Sequence, residues 1–118
     1  MAEYAPGGLP AMKRYGQLIG IKPESIAEYK AYHASVWPEV LGTIRACNIR
    51  NYSIFLKDGL LFAYFEYMGD DFAADMAKMA ADPKTQEWWK IMNPMQTPLD
   101  TRAEGEWWTK MEEVFHTD

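Results

Sequence analysis

Tyr29 and His33 carry the clearest capacity for chemistry in this chain. They lie in Glu28-Tyr29-Lys30-Ala31-Tyr32-His33-Ala34-Ser35-Val36-Trp37-Pro38-Glu39. On a helix that spacing puts both on one face, one turn apart. A phenol beside an imidazole is a polar pair on a face that Ile26, Val36 and Trp37 otherwise make apolar. An imidazole, with an unperturbed pKa of about 6.5, both gives and takes a proton near neutrality. The pair points to acid–base chemistry. An arbitrary Tyr-x-x-x-His is more often a helix surface pair with its ring edges hydrogen-bonded to neighbours. Trp37, extending the same face, favours a site.

Other residues fall into weaker constellations. Trp88 and Trp89 are adjacent, and adjacent helical residues diverge by about 100°. One can pack in a core while the other edges a pocket, where an indole face suits the C–H surface of a sugar. Trp107 and Trp108 on a strand would face opposite ways. Tyr52 is either a sheet-packing aromatic or a hydroxyl donor into a cavity. His116 lies near the C-terminus, where fraying is common. Cys47 reads as a small buried residue near a helix end. With two His, one Cys and neither His-x-x-x-His nor Cys-x-x-Cys spacing, no metal site is expected. No Gly-rich phosphate loop follows a strand, and no Ser-centred elbow is present.

The elements that must position these side chains follow from periodicity. Lys13 to Lys22 alternates as a strand, with Tyr15, Gln17, Ile19 and Ile21 on one face. Pro23 stops it, and Ser25-Ile26-Ala27-Glu28 fits a capping box. Apolar residues at three- and four-residue spacing predict a helix from about Glu24 to Cys47, kinked or restarted just after Trp37 by Pro38. Ile49 to Leu56 and Leu60 to Tyr67 read as strands joined by the turn Lys57-Asp58-Gly59. A helix from Gly69-Asp70-Asp71 runs through Ala81, and Asp82-Pro83 begins another that carries Glu87, Trp88, Trp89 and Met92. Asn93 to Gly105 reads as a loop, and Trp107 to His116 as a fourth strand. The order β-α-β-β-α-β predicts an α+β, ferredoxin-like fold, an antiparallel sheet with helices on one face.

Composition narrows the function classes. The chain has 118 residues, a net charge of -5 and no Lys/Arg cluster, which argues against nucleic acid. No apolar run approaches the roughly 20 residues that span a bilayer. Residues 1–12, with Pro6, Gly7, Gly8 and Pro10, lack the pattern of a signal peptide and read as a flexible tail; 13–118 reads as one domain. The lone cysteine precludes an intramolecular disulfide and fits a reducing, cytoplasmic compartment.

The central hairpin is apolar on both faces. Tyr52, Ile54 and Leu56 alternate with Phe55, and Leu61, Ala63 and Phe65 alternate with Phe62 and Tyr64. Two helices cover only one face of such a sheet. A second copy is the economical cover for the other, which predicts a symmetric homodimer of the dimeric α/β barrel type, with an aromatic-lined cavity suited to a small ligand.

Taken together, Tyr29-x-x-x-His33, Val36-Trp37-Pro38-Glu39, Asn51-Tyr52-Ser53-Ile54, Trp88-Trp89 and the closing Glu113-Val114-Phe115 resemble the L-rhamnose mutarotase family. The similarity runs from about Arg14 to His116. The resemblance implies a dimeric ferredoxin-like α/β fold. It also implies cofactor-free interconversion of the α and β anomers of a 6-deoxy-L-sugar. Carried over by position, His33 would be the proton donor, and Tyr29, Tyr52, Trp88 and Trp89 would contact the sugar. The family's Asn-Pro-Asp-Asn-Ser-Pro-like loop is replaced here by Asn93-Pro94-Met95-Gln96-Thr97-Pro98-Leu99-Asp100-Thr101-Arg102. The ending is more similar to the branch associated with L-fucose, so Arg102, Glu104 or Glu106 could read hydroxyl stereochemistry differently. Other readings are a haem-type monooxygenase on a related barrel, a same-fold sugar lyase or dehydratase, and a non-catalytic sugar-sensing dimerisation module.

Overall fold

Alternation and turn chemistry build the sheet. In this computed structural model residues 12–118 are described, so the expected tail over 1–12 lies, Met12 apart, outside the described residues. The long strands are β1 (Lys13–Ile21), β2 (Ile49–Lys57) and β3 (Leu60–Tyr67); β4 (Gln96–Thr97) and β5 (Thr109–Met111) are short. Asp58 and Gly59, both with positive φ (55° and 74°), close the β2–β3 hairpin in two residues, the backbone that Asp-Gly favours. The helices are α1 (Ile26–His33), α2 (Pro38–Ala46), α3 (Phe72–Ala81) and α4 (Pro83–Met92). Asp71 and Asp82 cap α3 and α4, accepting from the backbone N–H of Ala74 and Thr85.

All strand pairs are antiparallel, in the order β2-β3-β1-β4, with β5 also on β1. This is the expected ferredoxin-like arrangement. Cross-strand partners share a face, so Tyr15, Gln17 and Ile19 stand with Phe65, Ala63 and Leu61. Helices cover this side: Ile19, Ile21 and Leu61 form a core with Tyr29, Val40, Trp88 and Met92. On the other face Leu18, Phe62 and Phe55 form one apolar row across three strands, and Phe55 is 64% exposed.

A bulge in β2 matters for the site. Arg50 pairs with Glu66 but Ser53 with Tyr64, so Asn51 and Tyr52 together oppose Phe65. Asn51 adopts the left-handed φ of 51° that Asn tolerates, and its Nδ2 donates to Glu66 Oε1 at 2.6 Å. The extra residue changes parity. Ile49 packs in the core on one side of it, and Ile54 and Leu56 take the same sheet face beyond it. Tyr52 also lies on that face, against Phe65 at 5.6 Å between centroids.

Three expectations are corrected. The long helix over Glu24–Cys47 is a 3-10 turn (Pro23–Ser25), then α1, then α2 restarting at Pro38; the restart follows the expectation, but the gap over 34–37 makes two helices rather than one bent one. Ser25 makes no side-chain cap, because the 3-10 turn puts its backbone at φ -100°, ψ -4° and not in the extended conformation of a cap. The fourth strand is neither continuous nor Trp107–His116. Gln96 and Thr97 pair with Ile21 and Gly20, and Thr109 resumes opposite Leu18. One edge strand is thus interrupted by an excursion over 98–108, where a loop was expected through Gly105. Gly20 permits the close approach at the first half: a Cβ there would stand 2.9 Å from the Thr97 carbonyl oxygen.

Candidate active site

On the helix-covered side of the sheet an open cleft of about 1210 Å³ is lined by Tyr29 and His33 of α1, Tyr52 of β2 and Trp88 and Trp89 of α4. The five residues expected from sequence therefore meet around one space.

The α1 turn sets the imidazole. His33 Nδ1 lies 2.9 Å from the carbonyl oxygen of Tyr29. A carbonyl only accepts, so Nδ1 carries the hydrogen, and Nε2 is the nitrogen left for a ligand. The two rings stack, with centroids 4.3 Å apart and 26° between planes. Trp88 meets His33 edge-on at 5.4 Å, and also meets Tyr32 and Trp37, at 5.9 and 5.1 Å. Trp88 is 6% exposed and is a core residue that braces the imidazole, whereas Trp89 is 37% exposed at the cleft. Their divergence is that of neighbouring helical positions.

Both phenols are neutral. Burial pushes the Tyr29 hydroxyl up from its ordinary pKa, against a smaller lowering by its hydrogen bond from Gln96. Tyr52 is pushed up further, by burial first and then by Tyr29. Tyr52 is 40% exposed and stands at the open side of the cleft.

The excursion over 98–108 supplies a wall that sequence reasoning undervalued. Trp107 and Trp108 both line the cleft, because this stretch bends instead of running as a strand with alternating faces. Gln96, which no motif or periodicity marks, is buried between Tyr29 and Trp107: its Nε2 donates to the Tyr29 hydroxyl at 3.1 Å, and its Oε1 accepts from Trp107 Nε1 at 2.8 Å. The only signal for it is the pairing of an edge strand with β1, a contact 67 residues along the chain from Tyr29. Arg102 and Glu106 are engaged by the loop's own backbone, at Leu99 O and Ala103 N. Neither they nor Glu104 are among the lining residues. His116 pairs with Asp118 on the C-terminal segment, away from the cleft. Cys47 is fully buried at the end of α2, and burial pushes its thiol up, so it stays protonated.

The chain is similar in sequence to known mutarotases. The L-rhamnose mutarotase of Oceanobacillus iheyensis is 36% identical over 110 residues, covering 91% of this chain and 100% of that protein. That of Bacillus subtilis is 34% identical over 110 residues, with the same coverage of 91% and 100%. The crystal structure of an L-rhamnose mutarotase from Formosa agariphila superposes with a TM-score of 0.71 at 22% identity, covering 90% of this chain and 99% of that one, which speaks for the fold. The family model described as L-rhamnose mutarotase matches residues 14–117, and the chain belongs to that family.

Proposed function

We propose that this protein interconverts the α and β anomers of a 6-deoxy-L-hexose, L-rhamnose or L-fucose, by acid–base catalysis without a cofactor. The carrying observation is the His33 imidazole in the cleft, with Nδ1 spent on the Tyr29 carbonyl. Ring opening takes the proton from the anomeric hydroxyl, forms the C1–O1 double bond and breaks the bond from C1 to the ring oxygen. The ring oxygen receives a proton. Rotation about C1–C2 and closure on the other face reverse both transfers. With a hydrogen on both ring nitrogens, His33 donates from Nε2 to the ring oxygen while solvent water in the open cleft takes the anomeric proton; on closure Nε2 takes its proton back and the water returns the other. Two proton transfers complete the balance, so we assign no cofactor. Tyr29 and Tyr52 would hydrogen-bond sugar hydroxyls, and Trp89 would cover the apolar C–H face, with Trp88 holding the imidazole from behind.

We also assign a homodimer through the open sheet face. The apolar row Leu18–Phe62–Phe55 supports it, as do Val114 and Phe115, which are 87% and 78% exposed on the C-terminal segment. The buried free thiol of Cys47 suits a reducing, cytoplasmic setting.

Saturation-transfer NMR on equilibrated L-rhamnose, L-fucose and a D-sugar tests the activity. Faster exchange between anomers of one 6-deoxy-L-sugar is expected, with the His33→Ala variant slower by about 10²–10⁴-fold. Equal acceleration by both proteins would remove His33 from the mechanism.

A further inference from the structure

We propose that Gln96 is a positioning residue that aims the hydrogen of the Tyr29 hydroxyl at a ligand oxygen in the cleft. The inference rests on the sugar-binding reading above and adds a residue to it.

The argument is one of donor direction. An indole N–H can only donate. Trp107 Nε1 stands 2.8 Å from one end of the Gln96 amide, so that end is the carbonyl oxygen and the amide has a single orientation. The other end, the NH₂, faces the Tyr29 hydroxyl at 3.1 Å and donates to it. The Tyr29 oxygen is thereby used as an acceptor, and its own hydrogen is turned elsewhere. Among the described residues no group accepts that hydrogen, while the hydroxyl belongs to a side chain lining the cleft. Gln96 itself is held rigidly, since it is buried, pairs with Ile21 in the sheet and follows Met95, whose carbonyl accepts from Lys22 N. The indole thus fixes the amide, and the amide fixes the phenol as an acceptor. A phenol whose hydrogen is left over is a donor waiting for a lone pair, such as that of a sugar hydroxyl.

The substitution Gln96→Glu separates direction from shape. An ionised carboxylate of the same size still accepts from Trp107, but it also accepts from Tyr29 and pulls that hydrogen back. At about pH 9, where even a buried Glu ionises, Gln96→Glu should weaken binding of L-rhamnose or L-fucose, measured by calorimetry, by about three- to tenfold, the range of one neutral hydrogen bond. Tyr29→Phe should lose the same, and the double variant no more than either. Losses that multiply, or Gln96→Glu binding as wild type does, would overturn the proposal. Trp107→Phe covers a Gln96 variant that fails to fold, because Trp107 is 40% exposed. With the amide free to flip, binding should weaken at least about twofold, and not at all in a Tyr29→Phe background; no loss in either background would count against the idea. If the wild type binds neither sugar, the functional reading fails, and a ligand-free measurement still decides this one. The Tyr29 Cζ resonance of ¹³C-tyrosine-labelled protein should move downfield in Gln96→Glu, where the hydroxyl becomes a donor to a carboxylate. An unmoved resonance would refute the assigned direction.

Discussion

At the scale of single residues, the adjacent tryptophans separate support from contact. Trp88 is closed in by Tyr32, His33 and Trp37, so Trp88→Ala should cost about 3–5 kcal/mol, read by denaturant unfolding, and take activity with it. Trp89→Leu, at a half-open position, should leave the unfolding midpoint nearly unchanged and weaken sugar binding instead. A second residue-scale outcome concerns acid stability. The Tyr67 and Asn48 hydrogen bonds hold the Asp75 carboxyl below its ordinary pKa of 3.8. A lowered folded-state pKa means that stability is present above the unfolded value and is lost as pH falls through the folded one. The gap in melting temperature between wild type and Asp75→Asn should therefore be full at neutral pH and close as pH drops below 3.8. Because Tyr29 and Tyr52 are both pushed above the ordinary phenol range, neither should appear in a pH–rate profile near neutrality.

At the scale of elements, the β2 bulge makes a further prediction. Without Asn51 the ladder would run Arg50–Glu66, Tyr52–Phe65, Ser53–Tyr64 with no irregularity, and every core residue would keep its face. Deletion of Asn51 should thus be tolerated by the fold, checked by circular dichroism and melting, while shifting Tyr52 and weakening ligand binding several-fold. The long strands β1, β2 and β3 and the capped helices α3 and α4 were legible in the sequence, since alternation, Asp-Gly and Asp caps are local signals. So was the shared helix face of Tyr29 and His33, whose spacing is one turn. The bulge was not legible, because Arg50, Asn51 and Ser53 are all polar and nothing in their types marks one of them as the extra residue. Gln96 and the Trp107 wall were hidden for a different reason. Their places depend on β4 and β5, each too short to show a period, pairing with a strand at the other end of the chain. The helix over Glu24–Cys47 was overextended because the apolar spacing continues through residues 34–37, where the residue before Pro38 is pushed out of helical backbone.

At the scale of the whole molecule, the two faces of the sheet differ. Its helix-covered face holds the cleft, and its opposite face offers Leu18, Phe62 and Phe55 in a row. Phe55→Glu should convert a dimer to a monomer, measured by light scattering at micromolar protein, without unfolding it, because Phe55 is outside the helix-covered core. A wild-type monomer in that measurement would remove the assigned partner. The interrupted edge strand has a different kind of consequence. The chain leaves the sheet opposite Gly20 and rejoins it opposite Leu18, so everything between Thr97 and Thr109 hangs from two neighbouring anchor points. Closing a longer segment across such a gap adds only about 0.6 kcal/mol per doubling of length. Length and sequence there can therefore vary at little cost to the sheet, re-forming the wall of the cleft while α1 stays where β1 and β3 hold it.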